Sequence, residues 1–246
     1  VLCNVGEANC GGSCVSLQTS ASHCGACGRV CVAGESCVSG VCAVGAIDPF
    51  AAKAGGNGGD LAYGVAVDAS KNIIMVGQFQ NTAMFGTWSL TSLGGWDGFV
   101  AKTNAAGGYK WAQRVGTATG DDQVNKVAVD SGGNIYITGK FYGALTLGNI
   151  TLTSAGSADI FVAKLDPNGN FLWAKRAGSS HATLEDEGLA IALDTTGNVY
   201  VTGAFAGTAD FGATSLVSAG DTDIFVTKLN SNGVFLAAWR DGGANK

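Results

Sequence analysis

Short segments rich in apolar residues follow one another along this chain, and polar residues between them have the composition of tight turns. Residues 127–129 and 135–141 consist largely of β-branched and aromatic residues, which favour strands. The Asp-Ser-Gly-Gly-Asn segment at 130–134 is typical of a hairpin turn, because aspartate bonds its own turn and glycine adopts left-handed backbone angles. No long hydrophobic pattern of helical period appears, so the sequence predicts an all-β fold.

The same pattern occurs three times, spaced by 62 and then by 64 residues. A fixed period of this size indicates a repeat architecture in which each unit buries its apolar faces against its neighbours. The predicted repeats are 56–116, 117–178 and 179–243, and the two additional residues fall in the connector 179–187. Residues predicted to form the equivalent turns are Asp68, Asp130, Asp194, Gly133, Gly197, Gly169 and Gly233.

An additional strand is predicted at 50–55, before the first repeat. Its sequence matches 111–116 and 173–178, which are the last strands of the first two repeats. The third copy keeps Arg240, but its tryptophan stands at 239 instead of 237. The chain therefore contains one unmatched strand and three full units. Either the three units close in a compact three-fold arrangement, or this strand pairs with a neighbouring subunit, which is the interpretation we favour.

A separate cysteine-rich domain is predicted at 1–43, followed by a linker at 44–49 and the repeat domain at 50–246. This first segment has few large apolar residues and needs covalent constraints to fold. Four disulfides would supply them, with a pairing that spacing leaves open among 105 possibilities. Zinc bound at the Cys24-x-x-Cys27 motif beside His23 is the alternative. The cysteines are Cys3, Cys10, Cys14, Cys24, Cys27, Cys31, Cys37 and Cys42.

Two parts of the sequence resemble known families. The CGGSCV and HCGACGRVC elements within 10–42 resemble the stigma-specific-protein type of cysteine-rich module. The pattern GVAVDxxxNxxxxGxF, then DxFVAK, then WAxRxG, over about 50–243, resembles the bacterial SBBP β-propeller repeat. The resemblances imply a secreted bacterial protein and a ring of about seven blades, yet three units are too few for a ring of four to eight blades.

Composition and charge narrow the possible functions. Only 13% of the 246 residues are charged, against roughly 25% in ordinary domains. A soluble surface with so few charges either relies on Ser, Thr, Asn and Gly or is covered by other subunits, and the second alternative favours self-association. The net charge of −5 and the absence of a basic stripe argue against nucleic acid. No apolar run is long enough to span a membrane, and the start within a cysteine motif indicates a mature or trimmed chain.

Three aspartates in the connectors are candidates for a metal site. Asp60, Asp122 and Asp186 each stand eight residues before a turn aspartate, and Glu185 adds a carboxylate in the third connector. Carboxylates are ligands of calcium, the one cofactor that the sequence suggests. Alternatively, these aspartates accept backbone N–H groups or pair with arginines. The arginines in question are Arg114, Arg176 and Arg240.

Nothing in the sequence points strongly to catalysis. The two histidines, His23 and His181, form no recognisable set with a serine or cysteine nucleophile. We therefore expect a non-enzymatic structural protein, secreted or on a cell surface, whose repeats self-associate into an oligomer or an extracellular filament. The alternative is a monomeric module that binds a glycan or a cell-wall polymer through the connector face. A hydrolase using Asp122 or Glu185 is the third hypothesis.

Overall fold

The computed structural model describes residues 3–31, 35–44 and 53–243. The chain divides into two compact units, Val1–Ala51 and Ala52–Lys246. The described residues contain strands, turns and loops, with no helix among them. The fold is all-β, as the sequence predicts.

The first unit consists of two small antiparallel hairpins and four disulfides. Strand β1 (Glu7–Cys10) pairs with β2 (Ser13–Ser16), and β3 (Glu35–Val38) pairs with β4 (Val41–Val44). The two cysteines of the C-x-x-C motif belong to different disulfides, so neither is a thiolate available to zinc in this structure. The disulfides are Cys3–Cys14, Cys10–Cys27, Cys24–Cys37 and Cys31–Cys42.

The second unit contains three groups of four antiparallel strands, here called blades 1, 2 and 3; blade 1 belongs to a five-stranded sheet, and blades 2 and 3 belong to one eight-stranded sheet. Blade 1 consists of β6 (Asp60–Val67), β7 (Ile73–Phe85), β8 (Trp88–Thr103) and β9 (Tyr109–Val115). Blade 2 consists of β10 (Gln123–Val129), β11 (Ile135–Phe141), β14 (Asp159–Leu165) and β15 (Phe171–Ser179). Blade 3 consists of β16 (Glu187–Leu193), β17 (Val199–Phe211), β18 (Thr214–Leu229) and β19 (Phe235–Asp241).

Each blade extends its two central strands into a hairpin. In blades 1 and 3 the hairpin is continuous, because β7 and β8, and likewise β17 and β18, are long strands. In blade 2 the hairpin is a separate small sheet formed by β12 (Ala144–Leu147) and β13 (Ile150–Thr153). The glycine at the tip of this hairpin, Gly148, has a φ of 61°, as a tight turn of this kind requires.

Strand β5 (Ala54–Gly56) belongs to blade 1 of its own chain. It pairs with the hairpin extension of β7, with Ala54 opposite Phe85. The end of β15 pairs with β17 in the same way, with Gly178 opposite Asp210. The interpretation that the strand at 50–55 pairs with a neighbouring subunit is therefore wrong for residues 54 and 55. Residues 50–52, and 45–49 of the predicted linker, lie outside the described residues.

Successive blades pack face to face through apolar side chains. The exit face of a blade is the face turned toward the next blade, and the entry face is the one turned toward the preceding blade. Ile74, Val76 and Val100 on the exit face of blade 1 share one core with Ile137 and Phe161 on the entry face of blade 2. An equivalent core joins blades 2 and 3. Among the described residues no core joins blade 3 to blade 1, so the three blades form an open arc.

Tryptophans on the outer strands fasten each blade to the next. The Trp111 Nε1 donates a hydrogen bond of 3.2 Å to the carbonyl oxygen of Pro167, in the turn between β14 and β15. The indole lies over Gly169, where a Cβ would come within 2.9 Å of the ring. Trp173 repeats this contact one blade later, donating 3.1 Å to the carbonyl of Ser231. The turn thus needs glycine for close approach as well as for its positive φ.

Replacing Lys71 by glycine should stabilise the protein. Lys71 has a φ of 61°, whereas the equivalent positions are Gly133 with 80° and Gly197 with 83°. Left-handed angles cost a residue with a side chain roughly 1 kcal/mol, so we expect Lys71→Gly to raise the unfolding free energy by about that amount. Denaturant unfolding measures the change. Gly133→Ala is the matched reverse change and should lose a similar amount; a clear loss of stability in Lys71→Gly would contradict this turn assignment.

Replacing Trp111 by alanine should cost far more than replacing an exposed tryptophan. Trp111 is buried against blade 2, so Trp111→Ala should lower the unfolding free energy by about 3–5 kcal/mol. Trp239 is 53% exposed, and Trp239→Ala should change it by less than about 0.5 kcal/mol at concentrations where the chain is monomeric. Equal losses in the two variants would show that Trp111 does not hold the blades together.

Candidate functional site at the connectors and the open blade face

Two of the predicted connector aspartates are buried and bound by backbone N–H groups. The Asp122 Oδ2 accepts the N–H of Thr117 at 2.6 Å, and its Oδ1 accepts the N–H of Tyr142 at 2.8 Å. Asp186 accepts the N–H of Ser179 at 2.5 Å and that of Ala206 at 2.7 Å. Each carboxylate therefore joins the chain leaving one blade to the second strand of the next.

The other two predicted calcium ligands have different surroundings. Asp60 accepts the N–H of Gly56 at 2.8 Å, and its buried Oδ1 has no donor among the described residues. Glu185 accepts the Lys140 ammonium at 2.6 Å and also the hydroxyl of Tyr142. In the described part of the chain, the one group of three or more possible metal ligands is a set of disulfide cysteines. Calcium at these carboxylates stays a prediction.

A second set of buried carboxylates lies on the third strand of each blade: Asp159 is the first residue of β14, and Asp97 and Asp223 lie within β8 and β18. Asp159 accepts the N–H of Ala155 at 3.0 Å and pairs with Arg176 at 2.5 Å. The equivalent pairs are Arg114 with Asp97 and Arg240 with Asp223. The arginines therefore bind this second set, and the alternative that they pair with Asp60, Asp122 and Asp186 is wrong. The register of the strands places each arginine beside an aspartate of this second set.

Burial governs the protonation of these carboxylates. Burial raises the pKa of Asp122 to about 6, although hydrogen bonds from the N–H groups of Tyr142 and Thr117 lower it. The nearby Asp97 carboxylate raises this pKa further. Burial also raises the pKa of Asp159, and the neighbouring Asp186 adds to it. The junctions between blades are therefore places where buried carboxylates face one another, a costly arrangement that several N–H donors offset.

The aspartates in the hairpin turns have lowered pKa values, in contrast to the buried carboxylates between blades. Asp130 accepts the N–H of Gly132 and that of Asn134, each at 2.9 Å, and the same bonds recur at Asp68 and Asp194. Burial opposes ionisation of Asp68, but hydrogen bonds from Asn72 and Lys102 outweigh it and hold the pKa at about 2. These residues form the predicted turns. Gly133, Gly197, Gly169 and Gly233 all have positive φ.

The exit face of blade 3 is left uncovered. We call it the open face and define it by Tyr200, Thr202, Ile224, Val226 and Trp239. Ile224 is 56% exposed and Val226 is 39% exposed. The same positions in blade 2, Ile160 and Val162, are completely buried under blade 3. The sequence analysis did not predict this exposed surface. The one sequence feature that could have indicated it is Ala237, which occupies the position of Trp111 and Trp173 in the other repeats.

Comparison with known families agrees with this geometry. Residues 110–140 match the SBBP beta-propeller repeat, and this segment runs from the outer strand of blade 1 across the Asp122 connector into blade 2. Residues 1–45 match the stigma-specific STIG1-like protein family. The chain thus has one segment that is similar to a β-propeller repeat, within the packed blades, and one that is similar to the STIG1-like family, within the unit that contains the disulfides.

A viral protein shares part of the propeller repeat sequence. The chain is 33% identical over 113 residues to the uncharacterized WD repeat-containing protein L264 of Acanthamoeba polyphaga mimivirus. The match covers 39% of this chain and only 8% of the viral protein.

In the residues that the structure describes, no helix is long and apolar enough to cross a membrane.

The Asp122 carboxyl should make stability depend on pH. Its pKa is about 6 in the folded protein and roughly 4 when unfolded, so the folded state holds the proton more tightly. Between pH 4 and pH 7 the wild-type protein should therefore lose stability. The Asp122→Asn variant should lose about 2 kcal/mol less over the same range. Unfolding free energies of both proteins at several pH values measure the difference.

Asp221 provides the matched control for this titration. It is exposed on blade 3 and its side chain makes none of the hydrogen bonds described above. The pH dependence of Asp221→Asn should follow that of the wild-type protein. If Asp122→Asn also follows it, Asp122 does not carry a raised pKa.

Proposed function

We propose that this protein is a secreted or cell-surface, non-enzymatic structural protein whose β repeats self-associate into an oligomer or an extracellular filament. The repeat families that it matches favour a scaffolding or binding role over catalysis. The disulfide-rich module supports an oxidising compartment outside the cell.

One observation carries the proposal: the open face is apolar where the equivalent faces are covered. Ile224 and Val226 repeat the Ile160 and Val162 of blade 2, which need blade 3 to bury them. Contiguous apolar surface is costly in water and marks a site of association. The low charge of the whole chain, 13% of residues, supports the same conclusion.

A binding module for a glycan or cell-wall polymer is the second candidate. A cleft of about 580 Å³ lies between the turns of blades 2 and 3, lined by Asp130 and Asp194. Hydroxyl-rich ligands suit a cleft with carboxylates and backbone groups in its walls. Both carboxylates are already bound by their own turns, however, so this cleft offers fewer free acceptors than its size suggests.

Light scattering of the purified, non-reduced protein tests the proposal. We expect a mass above the chain mass of 24.6 kDa that increases with concentration, without any added ligand. The variant Ile224→Asp should shift the protein toward the monomer, because it places a charge on the open face. Leu172→Asp is the control, since Leu172 is similarly exposed, at 51%, on blade 2. A monomer at every concentration would overturn self-association, and specific binding of a polysaccharide would then support the second candidate.

A further inference from the structure

The arc of blades has an apolar surface at both ends. At the far end lies the open face of blade 3. At the near end, Val65 is 67% exposed and Val67 is 61% exposed on the entry face of blade 1. Their equivalents Val127 and Val129 in blade 2 pack against the core that joins blades 1 and 2. In the part of the chain that the structure describes, no blade packs on the entry face of blade 1, just as none packs on the exit face of blade 3.

Each contact between successive blades joins an exit face to an entry face, and the chain makes this contact twice. The two end surfaces are one exit face and one entry face. The entry faces of blades 2 and 3 present Ile137 and Val201 to the blade before them, and blade 1 presents Met75 at the same position. The aromatic residue beside it is Phe99, Phe161 or Phe225 in the respective blades. Apolar residues of similar size can replace one another in such contacts at small cost. The entry face of blade 1 thus has the chemistry that covers an exit face.

The charged group on the open face does not oppose this contact. The Lys228 ammonium lies 5.2 Å from the centre of the Tyr200 ring. The equivalent pair in blade 2 places Lys164 at 5.0 Å from the Tyr136 ring, and blade 3 covers that tyrosine to 1% exposure. A lysine held over a tyrosine ring is therefore compatible with burial of this surface.

We propose that two copies of the chain associate head to tail, the open face of each on the entry face of blade 1 of the other, and close a ring of six blades. This inference rests on the proposed self-association and specifies its geometry. Propeller rings contain four to eight blades, and two copies of the three blades described here fall within that range. A head-to-tail contact that closes after two copies gives a dimer with two identical interfaces.

One consequence concerns the last outer strand. Ala237 cannot make the indole contact that Trp111 and Trp173 make with the following blade. Trp239 lies on the same face, opposite Val226, and is 53% exposed. The contact between chains is therefore built differently at its rim from the contacts within the chain. A weaker, reversible interface is the expected result.

Two charge substitutions, one on each surface, test the closed dimer. Val226→Asp alters the open face, and Val65→Asp alters the entry face of blade 1. Wild-type protein should have about twice the chain mass of 24.6 kDa by light scattering, and electron microscopy should show six-bladed rings. Each variant alone should be monomeric. A mixture of the two should recover dimers, because one of the two interfaces then contains only wild-type residues. Leu172→Asp is the control and should remain dimeric.

The other outcomes overturn the inference in different ways. Long polymers would retain self-association but show that the ring does not close. Loss of the dimer in Val226→Asp alone, with Val65→Asp unaffected, would show that two open faces pack on each other. A wild-type monomer at all concentrations would overturn the proposed function as well. Circular dichroism of each variant, compared with the wild-type spectrum, separates misfolding from loss of the interface.

Discussion

The burial of one blade face against the next is the interaction on which the rest of the repeat unit depends. A single four-stranded sheet presents two faces to water, and here both faces are apolar at the centre of each blade. Packing Ile74 and Val76 on Ile137 and Phe161 removes two such faces at once. Stability in this architecture comes from pairs of neighbouring units, as in other repeat proteins, so the blade cannot be considered apart from its neighbours.

The buried carboxylates join successive blades through hydrogen bonds. Asp122 and Asp186 each hold two backbone N–H groups from different blades, a geometry that apolar contacts alone do not define. Their burial raises the pKa values, which shows that orientation is gained at a cost in solvation. The tryptophan contacts also join neighbouring blades, but they involve no charged group: an indole of one blade packs on a glycine turn of the next.

Local sequence patterns predict the strands and turns of each repeat, but they do not predict which blade faces are exposed at the two ends of the arc. The strands, the aspartate turns and the left-handed glycines follow from spacing and residue type, because each is decided within a few residues. The partners of Arg114 and Arg176 depend on strand register, and the disulfide pairing depends on three-dimensional proximity. The open face could not be found from its own residues, because Val226 has the same sequence context as the buried Val162.

The apolar residues on the two end faces are relevant to the function of the protein. Repeat arrays whose ends face water normally carry polar residues there, because a terminal unit has no neighbour to cover it. Blade 3 instead keeps Ile224, Val226 and Tyr200 on its exit face, and blade 1 keeps Val65 and Val67 on its entry face. These residues have the composition of internal faces. Among the described residues, the apolar burial that packs blades 2 and 3 onto their predecessors is therefore incomplete at both ends of the arc, and the surface that covers such a face within the chain is the face of another blade.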